Sequence, residues 1–317
     1  MAAPESADPP AGQAATLLVQ APEFDPFLDQ FRSRFGDNLL LVILFGSCLS
    51  PETRSPTSFP DFFLVVEDYG RTPGSWLARL GHRILAPDLY HLGRPGPDGK
   101  ILDCKYYLIS REDLWRATGP EARDLYVLGR LSKRVAIIYA RDRGSENLAG
   151  RVLARAGEQA ARLAAALLEG PAAEDDFYRE VLRLSYRAER RLEDERKIES
   201  LFRSGESFYR RVYGGRVERL LEENILMRRP DQALVRNPAG PGLRPDQVQR
   251  FLERSRRRAQ MRWPKMMLTV DNWVDQLLQK LERTYQIKLD IPPWERKIVL
   301  ITGWRHYFRL KRQGKIR

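Results

Sequence analysis

Three residues in the stretch 39–66 have the chemistry to bind a nucleotide phosphate and its metal ion. An apolar run, Leu39–Phe45, is followed at once by Gly46 and Ser47, and Asp61 opens a second apolar run. A strand that ends in Gly-Ser exposes backbone N–H groups without a bulky Cβ, which suits a phosphate. An acid at the head of the next strand can hold the metal ion that a triphosphate brings. Two buried strands joined by an ordinary loop are the alternative, because Gly-Ser is a common turn pair.

Helices and strands alternate around these residues up to about residue 145. Apolar spacing predicts helices over 24–35, 73–85 and 124–131, and strands over 39–45, 60–67, 88–92, 101–110 and 135–139. The first two strands are continuously apolar, which is typical of strands covered on both faces. In the helix over 73–85 we expect Trp76 and Ile84 to face inward.

The composition changes after about residue 146, where Ala, Leu, Arg and Glu predict helices and no strand signal appears. This change divides the chain into five parts. They are a disordered N-terminus (1–20), an α/β domain (21–145), a helical domain (146–228), a Pro/Gly-rich linker (229–244) and a helical C-terminal region (245–317).

The last predicted helix, over 293–312, is basic and amphipathic. Ile298, Trp304 and Phe308 fall near one side, whereas Lys297 and Arg305 lie mostly on the other. Apolar and aromatic residues next to cations suit a helix that lies on an anionic membrane surface. Docking of this helix on the rest of the protein is the alternative.

The overall charge is strongly positive, with 54 Lys and Arg against 42 Asp and Glu, a net charge of +12 and a pI near 9.8. Such a charge attracts nucleic acid, nucleotides or an anionic membrane, and does not choose among them. The 2 cysteines form neither a zinc-binding pattern nor a disulfide framework. The sequence shows no signal peptide and no long apolar run, so we expect a cytoplasmic protein, peripheral on the inner face of the membrane.

The order of several short motifs is more specific than any one of them. Phe45-Gly46-Ser47 followed by Pro60-Asp61-Phe62-Phe63 resembles the active-site layout of the DNA-polymerase-β-like nucleotidyltransferase superfamily. KYYLIS at 105–110, LYVLGRLSK at 125–133 and LSYRAER at 184–190 resemble one family within it, the mitochondrial translocator assembly and maintenance proteins. The resemblance covers about residues 39–215, and the region after the linker has no counterpart in it.

This resemblance implies an α+β fold in which a nucleotidyltransferase-like mixed sheet with helices precedes a helical domain and the basic amphipathic C-terminal helix. It implies a phosphatidate cytidylyltransferase, which makes CDP-diacylglycerol and pyrophosphate from CTP and phosphatidate. Mg²⁺ is the implied cofactor, and an anionic membrane surface is the implied partner. Nucleic acid is not an expected partner, because no RNA-recognition signature with interleaved aromatic residues is present.

The resemblance also implies roles for individual residues. Asp61 would be catalytic and hold the metal ion, and Lys105 would be the second catalytic residue. The nucleotide would be bound by Gly46, Ser47, Arg130, Lys133, Tyr186, Glu189 and Arg191. The possible further acids, which the sequence does not rank, are Glu67, Asp68, Asp88 and Asp103.

Two positions depart from the expected patterns. Phe63 stands where the superfamily commonly has a second acid, and Cys48 stands where the family usually has glycine. Two further functions stay open from the sequence, the first permitted by the high pI and the second motivated by the missing acid. One is a nucleotidyltransferase that acts on RNA or a small molecule, and the other is a catalytically inactive, membrane-associated scaffold.

Overall fold

The computed structural model describes residues 18–49, 59–73, 76–95, 101–187 and 195–269. The chain divides into two compact units, Met1–Lys265 and Met266–Arg317, and the fold described below is that of the first unit. The basic amphipathic helix predicted over 293–312 lies outside the described residues. The domain boundaries predicted from composition stay predictions.

Five strands form one mixed sheet with the spatial order β3-β4-β2-β1-β5. Their bounds in chain order are β1 Leu39–Phe45, β2 Asp61–Val66, β3 Asp88–Pro95, β4 Ile101–Ser110 and β5 Ala136–Ala140. Within this sheet β2 and β4 run parallel, and the other neighbours are antiparallel. Every residue of β1 is buried, and so is every residue of β2 after Asp61. The prediction of strands covered on both faces is confirmed.

One face of the sheet packs against an aromatic helix, α1, Asp25–Phe35. The rings of Phe24, Phe27 and Phe31 lie 5.7, 5.9 and 5.7 Å from the ring of Phe62 on β2. Burial of rings of this size supplies much of the free energy that holds a helix on a sheet. The aromatic stripe of α1 is therefore core packing.

Two short helices, α3 Arg111–Ala117 and α4 Leu125–Leu131, lie between β4 and β5 in the chain, and five helices follow β5: α5 Arg143–Leu167, α6 Glu174–Arg187, α7 Glu195–Ser204, α8 Glu206–Glu222 and α9 Pro245–Thr269. The helices from α4 to α9 share a second core. Leucine and alanine side chains of α4 and α5 pack with aromatic residues of α6, α7 and α8 in one cluster. The prediction of an α+β fold, with helices after the mixed sheet, is confirmed.

Two details of the sequence prediction were wrong. The region after residue 146 contains a short antiparallel hairpin, β6 Leu226–Arg228 and β7 Leu234–Arg236, whose strands are too short to show a period. In the segment around α2, Trp76–His82, the side chains of Trp76 and Ile84 are 70% and 59% exposed. His82 takes the buried position instead, because its ring contacts the Asp88 carboxylate at the edge of the sheet.

Candidate active site

The turn after β1 approaches the carboxylate of Asp61 closely. Gly46 has a φ of +86°, a conformation that L residues rarely adopt, and a Cβ added to it would lie 3.2 Å from Asp61 Oδ2. Ser47 then begins a single 3₁₀ turn, Ser47–Leu49, in which the Leu49 N–H donates to the Gly46 carbonyl at 3.3 Å. The backbone conformation favours glycine here, and a larger residue would also press on the Asp61 carboxylate.

Sheet register brings Asp61 and Lys105 side by side. Asp61 pairs with Phe45 of β1 on one side and with Lys105 of β4 on the other, and Lys105 pairs in turn with His91 of β3. Directly paired residues project their side chains to the same face of a sheet. The two residues predicted to be catalytic therefore share one face, 44 positions apart in sequence.

Asp103 is the candidate acid that shares this face. It lies two residues before Lys105 on β4, and its Oδ1 is 3.4 Å from His91 Nε2. Burial raises the pKa of the Cys104 thiol, and the negative charges of Asp103 and Asp61 raise it further. Both carboxylates consequently lie near the same buried thiol.

The other candidate acids are engaged elsewhere. Glu67 lies beyond the far end of β2, where it forms ion pairs with Arg111 at 3.2 Å and Arg141 at 3.5 Å. Asp68, next to it, accepts the Gly70 N–H at 3.0 Å. Asp88 is buried in contact with His82 and Lys265. Across the described ranges, no group of three or more His, Cys, Asp or Glu could hold a metal ion by itself.

Phe63 belongs to an aromatic layer beneath a cation. Its ring stacks on Phe45 at 4.7 Å and lies 5.4 Å from the ring of Tyr107. The Arg130 guanidinium lies over this layer, 6.0 Å from the Phe45 ring, 5.6 Å from Tyr107 and 4.0 Å from Tyr126. Aromatic faces attract a cation, so they can hold the Arg130 guanidinium here although residue 63 is a phenylalanine and not an acid. The Arg130 guanidinium thus lies over the ring of Phe45, the residue that pairs with Asp61 in the sheet.

A second cation, Lys133, contacts the side chain of Tyr186. Lys133 Nζ donates to Ser185 Oγ at 3.0 Å and lies 4.7 Å from the centre of the Tyr186 ring. The close approach of α4 to α6 depends on Gly129, because a Cβ there would lie 2.9 Å from Ser185 Cβ. Two further predicted nucleotide ligands, Glu189 and Arg191, lie outside the described residues.

The helix that carries Arg130 is anchored by a buried carboxylate that the sequence prediction did not single out as functional. Asp124 caps α4 by accepting the Tyr126 N–H at 2.9 Å, and its other oxygen accepts from Arg258 at 2.7 Å and from Arg262 at 2.9 Å. Arg262 is itself buried and lies 4.4 Å from the Tyr126 ring. Tyr126 is thus held between the guanidinium groups of Arg130 and Arg262. An aspartate just before an apolar helix is a recognisable cap signal, but partners more than 130 positions away leave no local signature.

Burial opposes ionisation of Asp124, but the charge of Arg262 and the hydrogen bonds from Arg258, Arg262 and the Tyr126 N–H outweigh it. The pKa of Asp124 is therefore lowered from its usual value.

Part of the chain matches a known protein family. The family model described as phosphatidate cytidylyltransferase, mitochondrial, matches residues 99–296. The match includes Lys105, Arg130, Lys133 and Tyr186 and extends past the linker, where the sequence resemblance found no counterpart. It begins after Gly46, Ser47 and Asp61, whose assignment depends on the resemblance and on the geometry above. None of the curated proteins compared with the chain matches it.

Proposed function

This chain belongs to the family of mitochondrial phosphatidate cytidylyltransferases, and we propose that it carries out cytidylyl transfer on the sheet face of Asp61 and Lys105. The family reaction joins CTP and phosphatidate to give CDP-diacylglycerol and pyrophosphate. The observation that carries the proposal is the juxtaposition of the Gly46 turn, the Asp61 carboxylate and the Lys105 ammonium on one face.

Backbone and cationic groups would bind the triphosphate of CTP. The turn at Gly46 and Ser47 offers backbone N–H groups at close approach, which favours a phosphate. Lys105, beside Asp61, and Arg130, over the aromatic layer, supply positive charge where negative charge develops at the α-phosphorus. Lys133 and Tyr186 would contact the remainder of the nucleotide from the adjacent helices.

The residues on this face fit a Mg²⁺ ion. Asp61 and Asp103 offer carboxylate oxygens, and Mg²⁺ is usually held by one or two carboxylates together with substrate phosphates and water. A site of this kind needs no third protein acid, which agrees with the absence of a three-residue cluster among the described residues. When bound, Mg²⁺ would supply charge neutralisation on the triphosphate.

Cytidylyl transfer between these two substrates does not require a general base from the protein. A phosphatidate phosphate oxygen attacks the α-phosphorus of CTP in line with the leaving group. The new bond is P–O–P, the bond between the α- and β-phosphates breaks, and pyrophosphate leaves with its electron pair. The protein's part is to position the two phosphates and to stabilise charge, which accounts for most of enzymatic phosphoryl transfer.

The test is turnover by the full chain. With CTP, Mg²⁺ and phosphatidate in mixed micelles, we expect pyrophosphate and CDP-diacylglycerol in equal amounts, and none when phosphatidate is omitted. CTP at about 100 times its Kd is expected to stabilise the fold by about 2.7 kcal/mol, seen as a higher melting temperature, with ATP and UTP as comparisons. Pyrophosphate release that requires RNA instead of phosphatidate, or no CTP binding at all, would contradict the proposal.

Association with an anionic membrane surface belongs to the same proposal. Its support is the net charge of +12 and a substrate that resides in a bilayer. Within the described residues, no helix is long and apolar enough to cross a membrane. The full chain is expected to float with vesicles that contain anionic phospholipid, and less so as salt is raised. Equal flotation with purely zwitterionic vesicles would argue against an electrostatic contact.

A further inference from the structure

A cavity of about 520 Å³ lies beyond the Gly46 turn. Of the residues proposed above to bind the nucleotide, Lys133 lines this cavity and the others do not. It runs from Cys48 and Leu49, which follow the turn, past the loop 131–136 to the start of α8. Its volume falls in the range of small-molecule sites. The cavity therefore begins within three residues of the predicted phosphate-binding turn.

One wall of this cavity is apolar. Phe24, Leu44 and Ile138, which belong to the core beneath α1, line it together with Val19. Val19 is 43% exposed and its neighbour Leu18 is 55% exposed, so apolar surface continues outward from the wall. A triphosphate or pyrophosphate gains nothing from such a wall, whereas an acyl chain gains free energy from each methylene that it buries.

The other wall is mostly cationic, although Glu23 also lines the cavity. Lys133, Arg134 and Arg211 line it, and the structure pairs neither Arg134 nor Arg211 with a carboxylate in the described part of the chain. The ligand that such a wall attracts carries a compact negative charge, as a phosphate monoester does.

A buried guanidinium completes the cationic wall. Arg216 is only 9% exposed and lies against Gly157, where a Cβ would be 2.8 Å from its Nε. Its two terminal nitrogens donate to the carbonyls of Val212 and Ala154, but its Nε has no hydrogen-bond partner among the described residues. A buried charge with an unused donor is costly unless an anion compensates it.

Glu158 is an acid whose charge acts on Arg216, but it forms its ion pairs with two other arginines, Arg162 at 3.0 Å and Arg219 at 3.4 Å. Arg216 is instead adjacent to the ring of Tyr213, whose hydroxyl donates to the Ser132 carbonyl at 2.5 Å, next to Lys133. Buried positive charge thus extends from Arg216 toward the cations of the loop.

We propose that this cavity binds phosphatidate, with the lipid phosphate between Lys133, Arg134, Arg211 and Arg216 and the acyl chains along the wall of Phe24, Leu44 and Ile138. The inference depends on the proposed function, since it supplies the second substrate to the same site. Cys48 and Leu49 line the cavity and directly follow the turn at Gly46 and Ser47, so the cavity begins next to the proposed nucleotide site.

The test measures lipid binding without CTP, so that it does not depend on turnover. Water-soluble dihexanoyl phosphatidate is titrated calorimetrically into the full chain. Arg211→Gln and Arg134→Gln are each expected to weaken binding by about threefold to tenfold, the effect of one charge at the edge of a site. Ser207→Trp, at an exposed position that lines the cavity, is expected to abolish binding by filling the entrance.

Arg210→Gln is the matched control. It also removes one positive charge, from the residue that precedes Arg211 in α8. Arg210 does not line the cavity and forms ion pairs with Asp175 and Glu206 instead. It should bind phosphatidate as the wild type does. Equal melting temperatures would show that the variants fold, and an unchanged Kd for CTP would show that the nucleotide site is intact.

Glycerol 3-phosphate and pyrophosphate distinguish a lipid site from a site for phosphate alone. Both are expected to bind much more weakly than phosphatidate, because neither contacts the apolar wall. If pyrophosphate binds as tightly and is equally sensitive to Arg211→Gln, the cavity is not a lipid site. Wild-type affinity in Arg211→Gln, Arg134→Gln and Ser207→Trp would overturn the inference even in an enzyme that turns over. Lipid binding as expected without any turnover would leave the cavity assigned and the proposed function contradicted.

Discussion

Asp61→Asn is expected to lower kcat for pyrophosphate release from CTP and phosphatidate by at least about 100-fold, the loss that follows removal of one well-placed electrostatic group. The change keeps the shape of the side chain beside Gly46 but removes the negative charge that would hold Mg²⁺ near the triphosphate. Steady-state kinetics of pyrophosphate release measures this. Mn²⁺ binding in the presence of CTP, followed by electron paramagnetic resonance, should weaken in parallel.

Asp68→Asn is the control for this experiment. Asp68 lies just beyond the opposite end of β2, where it caps the turn at Gly70, so its charge should not affect the reaction. Asp103→Asn gives a second comparison, because Asp103 shares the face of Asp61 and would be the other carboxylate near the metal ion. Full activity and full Mn²⁺ binding in Asp61→Asn would remove Asp61 as the metal ligand.

Asp124→Asn is expected to destabilise the fold by about 3–5 kcal/mol, the cost of breaking a buried ion pair by removing one partner. The amide leaves the guanidinium of Arg262, which is 3% exposed, and that of Arg258 without a counter-charge. Because Asp124 also caps the helix that carries Arg130, the activity of the folded variant should fall as well. Urea denaturation followed by circular dichroism measures the change in stability.

The same ion pair predicts a dependence on pH. The pKa of Asp124 is lower in the folded protein than in the unfolded chain, where an aspartate has a pKa of about 3.9. Its contribution to stability is therefore complete above the unfolded pKa and is lost as the pH falls through the lower folded pKa. In Asp124→Asn the difference from the wild type should accordingly shrink below about pH 4.

Asp142→Asn is the matched control for Asp124. Asp142 also caps a helix, α5, and also pairs with an arginine, Arg141 at 2.9 Å, but it is 48% exposed. Its substitution should cost much less, because exposed ion pairs are screened by water. If both variants unfold at the same urea concentration, burial of the Asp124 ion pair does not contribute to the free energy of unfolding as we infer.

The elements of the site could be predicted because each leaves a local pattern. The apolar run of β1 ends at Gly46, β2 begins at Asp61, and KYYLIS reads as a strand that ends at a helix cap. The sequence could also single out Lys105 and Arg130 as candidates through their motifs, and the family match over residues 99–296 includes both. What it could not do was rank four candidate acids, since their ranking depends on which strands are neighbours.

Phe63 shows why the absence of an acid at one position did not settle the function. From the sequence, this residue stands where a second metal ligand was expected. In the fold it is fully buried and supports, with Phe45 and Tyr107, the layer on which Arg130 lies. In the proposed site, positive charge would come from a cation over aromatic rings, Arg130, and a second carboxylate from another strand, Asp103.

By itself, the sequence predicted the strand–turn–strand around Gly46 and Asp61 from residue order and local periodicity, and the family and its α+β class from the resemblance of its motifs to known ones. Only the tertiary structure decided which side chains meet. The parallel pairing of β2 with β4 places Lys105 beside Asp61, and α9 returns Arg258 and Arg262 to Asp124. The cavity that ends at Arg216 likewise forms between segments far apart in the chain. Such contacts depend on strand register and on packing between distant elements. A short stretch of sequence determines neither of these.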